Sequence, residues 1–242
     1  MSRAQRLPAS AVPAEEGMAM TTIKVWDLPV RITHWLNVLS ILVLSITGFY
    51  ITDPIVTTHG PARDQFLMGL IRGIHFSFAF LFTVTVLFRV YWAFRGNRWA
   101  RWSQLVPATR LRRHLFVAQV KYYTFLNRLP PAQIGHNPLA GVTYMAIYVL
   151  FFAQILTGFG LYSLGFEGGF WPAVFGWLPL TLGATTLRLI HYLVMWAFFA
   201  FTIHHVYSAI LIDTEERSGL LSSIFTGYKS FTKEHLEETN HG

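Results

Sequence analysis

Three long stretches of this chain carry no charge. No Asp, Glu, Lys or Arg falls between Arg31 and Asp53, between Arg128 and Glu167, or between Arg188 and Asp213. Each gap is long enough for the roughly 20 apolar residues that cross a bilayer. A fourth stretch, Ile71 to Phe94, is apolar apart from Arg72 near its start and Arg89 and the exit. The expected fold is therefore an all-α integral membrane protein, a bundle of four transmembrane helices over about 31–52, 71–94, 141–163 and 188–212. One membrane domain, 23–212, lies between a mobile N-terminal tail, 1–22, and a C-terminal tail, 213–242. Composition agrees: 53% of residues are hydrophobic and 13% charged, and aromatics such as Trp35, Tyr50, Trp92 and Tyr207 sit at span ends, where amphipathic rings prefer the interface.

Basic residues set the orientation. The connection between the second and third spans carries Arg95, Arg98, Arg101, Arg110, Arg112, Arg113, Lys121 and Arg128, whereas the connection between the third and fourth offers only Arg188 at its edge. The positive-inside rule puts the basic loop in the cytoplasm, and both termini with it. The net charge of +7 is then mostly a topology signal and an anchor to anionic lipid, and nucleic acid is discounted as a partner. Residues 1–20 include Glu15 and Glu16 without a continuous apolar core, so no signal peptide is expected there. The chain has no cysteine, which excludes disulfides, protein-held iron–sulfur clusters and thioether-linked heme.

Four histidines in the spans fall where they can be offered in pairs: His34, His75, His191 and His205. The last two are fourteen residues apart, a rise of about 21 Å and nearly four full turns, which leaves both imidazoles close to one helix face. With the N-terminus inside, His34 and His205 lie near the cytoplasmic surface and His75 and His191 near the outer one. Each pair has the makings of the two axial ligands of a low-spin b-type heme with no open coordination position, a site suited to electron transfer. The competing reading, that each histidine only bonds across helices, accounts for any one of them but not for four that pair by depth. His204 points roughly 100° from His205 and is assigned to packing or a heme propionate. His59, His114, His235 and His241 fall in loops or the tail, where solvation is the default.

Four further residues lie at matching depths. Gly48 is fourteen residues after His34, and Gly158 and Gly160 reach the same outer level within the similar strings ITGFY and LTGFG. Glycine either lets a flat macrocycle approach the backbone or serves helix packing. Arg89, fourteen residues after His75, either pairs with a propionate of the inner heme or snorkels to the interface.

The strings VRITHWLN, SITGFYI, FLMGLIRGIHF, FRVYWAFRGN, IGHNPLAG, ILTGFGLY, HHVYSAI and GYKSF closely resemble the b-type cytochrome subunit of membrane-bound uptake NiFe-hydrogenases, from about residue 22 to 232. IGHNPLA together with the ordered histidines is the specific part; a lone TGF is not. The resemblance implies a four-helix, di-heme, quinone-reactive anchor for a hydrogenase small and large subunit pair on the outer face, with His34, His75, His191 and His205 as ligands. No hydrogen-splitting chemistry is expected in this chain. The similar di-heme subunit of formate dehydrogenase uses an asparagine in the loop before the third span, which points to Asn137 for a quinone carbonyl and His136 for a proton relay. Asn137-Pro138 also reads as an ordinary helix start. Rival functions are a sibling cytochrome of a formate dehydrogenase or thiosulfate reductase complex and a histidine-using transporter. The transporter predicts intramembrane acids, which these spans lack.

Overall fold

The computed structural model describes residues 20–56, 66–128 and 138–232. In chain order its elements are β1 (Met20–Lys24), α1 (Leu28–Thr52), α2 (Phe66–Arg95), α3 (Arg110–Tyr123), α4 (Pro138–Ser163), α5 (Phe170–Phe175), α6 (Trp177–Leu182), α7 (Ala184–Glu216), α8 (Leu220–Thr226) and β2 (Tyr228–Thr232). The four long helices α1, α2, α4 and α7 have mean hydropathies between 1.5 and 1.9 and are long enough to cross a membrane. Their ends follow local chemistry: Pro29 sits in the first turn of α1, Pro138 opens α4, and Gly183, at φ 78°, precedes α7. These are positions where a missing N–H or a left-handed backbone costs nothing.

The bundle buries hydroxylated side chains and turns many large apolar ones outward. Ser40, Ser45, Thr47, Thr85 and Thr157 are buried, whereas Leu42, Ile46, Leu193 and Ile203 are exposed, Ile46 at 62%. Water would penalise that arrangement, but lipid leaves apolar side chains at no disadvantage outside and favours small and hydroxylated ones where helices touch. The chain is a multi-pass membrane protein.

The helices associate as two antiparallel pairs. α1 packs closely on α2 and α4 on α7, while the pairs touch one another sparsely. The Thr85 hydroxyl bonds the Asn37 side-chain carbonyl and fixes the register of α1 against α2. Midway along the bundle the pairs meet through Phe82 and Val86 of α2, Ile147 and Phe151 of α4, and Val194 and Phe198 of α7. There the Phe151 ring lies 5.1 Å from Phe82 and 5.3 Å from Phe198.

One end is closed by a structure that the sequence reading leaves as two tails. β1 pairs antiparallel with β2, Met20 opposite Thr232 and Lys24 opposite Tyr228, so residues 20–22 and 228–232 belong to the folded body. α7 also runs on to Glu216 and is followed by α8. The reason is packing: Val25, Trp26, Val30, Ala100 and Phe231 form a second core, Trp26 Nε1 donates to Ser223 Oγ at 2.9 Å, and buried Lys229 pairs with Glu216 at 3.7 Å. Asn97, in the turn after α2, donates to the Val25 carbonyl and Asp27. The ends of the described chain and the connection after α2 therefore share this ribbon end. The connection is itself structured, since α3, capped by Thr109, lays Arg110, Arg113 and exposed His114 along its surface. At the opposite cap end, α5 and α6 fold over α4, and Trp171 stacks on Phe159 at 5.3 Å and meets Tyr162 and Phe80 edge-on.

Candidate functional site

α1 enters from the ribbon end and presents His34 within its second turn; α7 returns to the same end and presents His205. Their ring centroids are 6.4 Å apart. Two metal–imidazole bonds of about 2 Å each, plus the half-width of each ring, span about that distance. His34 Nδ1 is buried without a hydrogen-bond partner among the described residues, an expensive state for a polar atom unless something else occupies the site. His205 stacks on Phe201 and takes the edge of Tyr144. His204 is exposed, near Tyr123 and Ser208. The register therefore brings His205, and not its neighbour, to His34.

At the cap end, His75 of α2 and His191 of α7 are each seated by the opposite helix of their own pair. His75 Nδ1 lies 2.8 Å from Thr47 Oγ1 on α1, and His191 Nδ1 lies 2.9 Å from Thr157 Oγ1 on α4. The adjacent glycines complete each seat. A Cβ at Gly48 would stand 3.6 Å from His75 Cε1, and one at Gly158 would stand 3.1 Å from His191 Cε1. These two glycines thus open onto histidine rings, whereas Gly160 serves helix packing, its Cβ position meeting Leu187 and Leu178 at 3.0 and 3.1 Å. The Gln154 side-chain amide lies 3.1 Å from His191 Nε2, so both ring nitrogens of His191 have a polar neighbour on α4.

The two helix pairs repeat one scheme. Thr47-Gly48-Phe49 on α1 answers Thr157-Gly158-Phe159 on α4, and His75 on α2 answers His191 on α7. Fourteen residues along from each glycine or histidine, toward the ribbon end, the repeat is broken: His34 answers Tyr144, and Arg89 answers His205. Arg89 is 8% exposed, so it does not snorkel to an open surface. Among the described residues its guanidinium hydrogen-bonds only the Ala100 carbonyl, at 3.4 and 3.5 Å. Counting from the Asn37–Thr85 contact, three residues back along α1 and four onward along α2 reach His34 and Arg89 at one level. A buried guanidinium there without a carboxylate calls for an anionic group.

These features fit a porphyrin. Among the described residues no three His, Cys, Asp or Glu side chains gather to hold a metal, so two imidazoles per level would need a macrocycle to supply the equatorial ligands. The sparse contact between helix pairs, the His34 Nδ1 without a partner among the described residues and the buried Arg89 guanidinium suit such a group. Sequence reasoning missed Thr47, Thr157, Gln154 and Tyr144, although a threonine stands beside each glycine in ITGFY and LTGFG. His136 and Asn137, expected near a quinone, lie outside the described residues, as do His59, His235 and His241.

Comparison with known proteins gives a consistent result. A family model described as prokaryotic cytochrome b561 matches residues 25–227. A protein of Cupriavidus necator named probable Ni/Fe-hydrogenase B-type cytochrome subunit is 39% identical over 222 residues, covering 89% of this chain and 90% of that protein. A Rhodobacter capsulatus protein of the same name is 36% identical over 224 residues, covering 90% and 85%. An Escherichia coli protein named probable Ni/Fe-hydrogenase 1 B-type cytochrome subunit is 38% identical over 211 residues, covering 85% and 90%.

Proposed function

Because the chain belongs to the prokaryotic cytochrome b561 family, we propose that it is a di-heme cytochrome b anchor that carries electrons from a NiFe-hydrogenase to the membrane quinone pool. The names of its relatives support the partner. The observation that carries the reading is the meeting of His34 and His205 across α1 and α7, 6.4 Å between ring centroids.

Heme b, when bound, supplies reversible one-electron chemistry at iron. His34 and His205 hold one heme near the ribbon end, and His75 and His191 hold the other near the cap end. With two histidines at each level, the chain would hold each group by imidazole alone, an arrangement suited to electron transfer. α7 fixes the spacing, with fourteen residues, or about 21 Å of helix, between His191 and His205. Arg89 neutralises a propionate at the level of His34. Gly48 and Gly158 keep the backbone clear of the outer ligands.

The ribbon end, with the basic connection after α2, faces the cytoplasm of a bacterial inner membrane. The cap end then receives the hydrogenase small subunit, with the large subunit, where hydrogen is split, behind it. His136 and Asn137 directly precede Pro138, the first residue of α4, and are the residues proposed to meet the quinone, by proton relay and by a hydrogen bond to its carbonyl.

Replacing His75 by Ala in the intact complex tests this. Hydrogen-driven quinone reduction should vanish while the hydrogenase still reduces a soluble dye. Undiminished hydrogen-to-quinone activity, in a His75→Ala complex shown spectroscopically to lack a heme, would make the chain an anchor without an electron path.

A further inference from the structure

Each outer histidine meets a threonine whose proton is already committed. Thr47 Oγ1 donates to the carbonyl of Val43 at 2.7 Å, and Thr157 Oγ1 donates to the carbonyl of Ala153 at 2.7 Å. A hydroxyl has one proton and a backbone carbonyl can only accept. In the contacts to His75 Nδ1 and His191 Nδ1, 2.8 and 2.9 Å, the threonine oxygen is therefore the acceptor and the imidazole the donor. The threonine contacts thereby favour the Nδ1–H tautomer in both rings, with Nε2 unprotonated, and the Gln154 amide 3.1 Å from His191 Nε2 is compatible with that tautomer. Thr47 and Thr157 are 4% and 6% exposed, so water does not compete. The back-bond of a buried threonine to its own helix is ordinary in membranes; its use here is to aim a lone pair at a neighbouring helix.

Among the described residues the inner pair shows no such arrangement. His34 Nδ1 has no partner among the described residues, and the position of Arg89 at that level adds positive charge. An acceptor on Nδ1–H makes an imidazole a stronger donor to metal through Nε2 and favours the more oxidised metal, whereas a nearby cation favours the reduced one.

We propose that Thr47 and Thr157 are positioning residues for the outer site, each fixing the tautomer and aim of its histidine and together giving the outer pair a greater preference for ferric iron than the inner pair. Electron passage from the cap end toward the ribbon end is then downhill by construction. This rests on the assignment of His75 and His191 as heme ligands. Unchanged heme content in both His75→Ala and His191→Ala removes that assignment; the threonine variants are read on chains that pass it.

The test is a spectroscopic redox titration of the full complex carrying Thr47→Val or Thr157→Val, which keep the shape and remove the hydroxyl, with Thr47→Ser and Thr157→Ser as rescues. The wild type should give two one-electron steps. Each valine variant should raise the lower step by roughly tenfold in the ferric-to-ferrous equilibrium, about 59 mV for one electron, leave the upper step in place, and be restored by serine. An unmoved lower step in both valine variants overturns the proposal, as does serine shifting it as far as valine. If a valine variant loses the outer heme, serine decides: retention at the wild-type potential supports the hydroxyl, and loss with serine too overturns it.

Discussion

The two histidine seats look alike in sequence but differ in clearance, and alanine separates them. At Gly158 an added Cβ would lie 3.1 Å from His191 Cε1, so the ring must give by a few tenths of an ångström; at Gly48 the corresponding contact with His75 is an ordinary 3.6 Å, with Met195 Sδ at 4.0 Å. His191 is poorly placed to give, because Thr157 and Gln154 hold its two nitrogens at 2.9 and 3.1 Å. Overpacking of this kind costs about 1–3 kcal/mol, and replacing a mid-helix glycine by alanine returns about 1 kcal/mol at either site. The net for Gly158→Ala is about 0–2 kcal/mol against a seated ring, up to about a 30-fold loss in heme retention. Gly48→Ala should retain heme as the wild type does. Heme-to-protein ratio after incubation with a heme-scavenging apoprotein measures both. Equal loss in the two variants, or a greater loss in Gly48→Ala, would refute the reasoning from clearance.

Two further outcomes are expected away from the hemes. In intact cells a cysteine introduced at Gly168 should react with an impermeant thiol reagent while one at Arg112 should not, and equal labelling would reverse the assigned sides. At the ribbon, burial holds the Lys229 ammonium below the ordinary lysine range, against the pull of Glu216 and Asp213. The unfolded chain therefore binds that proton more readily. Stability of the β1–β2 pairing should rise with pH from the folded value of Lys229 up to the ordinary lysine value and level off above it. Lys229→Met should flatten that dependence in hydrogen exchange corrected for intrinsic rate; an unchanged slope counts against the lysine as its source.

The spans were legible because lipid imposes long uncharged runs, and a lone charge such as Arg89 stands out against them. The four membrane histidines were legible for the same reason, and the fourteen-residue step from His191 to His205 placed them at two levels before any packing was known. What stayed hidden depends on partners far along the chain. β1 and β2 are five residues each and some 200 residues apart, too short for alternation to declare them, so both ends read as tails. ITGFY and LTGFG drew attention to their glycines as possible macrocycle contacts. Only the helix register shows that Gly48 and Gly158 face histidine rings and that the neighbouring threonines hold Nδ1. Arg89 offered two readings, and its burial against the Ala100 carbonyl speaks against the snorkelling one. His204 beside His205 left the register at the ribbon end open to a one-residue slip; the helix turns His205 to His34 and leaves His204 exposed.

The claim on which the rest depends is that paired histidines hold two hemes in one bundle. A pyridine hemochrome assay on the purified chain, with a quantified protein concentration, tests it most directly. The account predicts two hemes b per wild-type chain, one in His191→Ala, one in His205→Ala, and two in His204→Ala. One heme per wild-type chain, or loss of heme in the His204 variant, would contradict it.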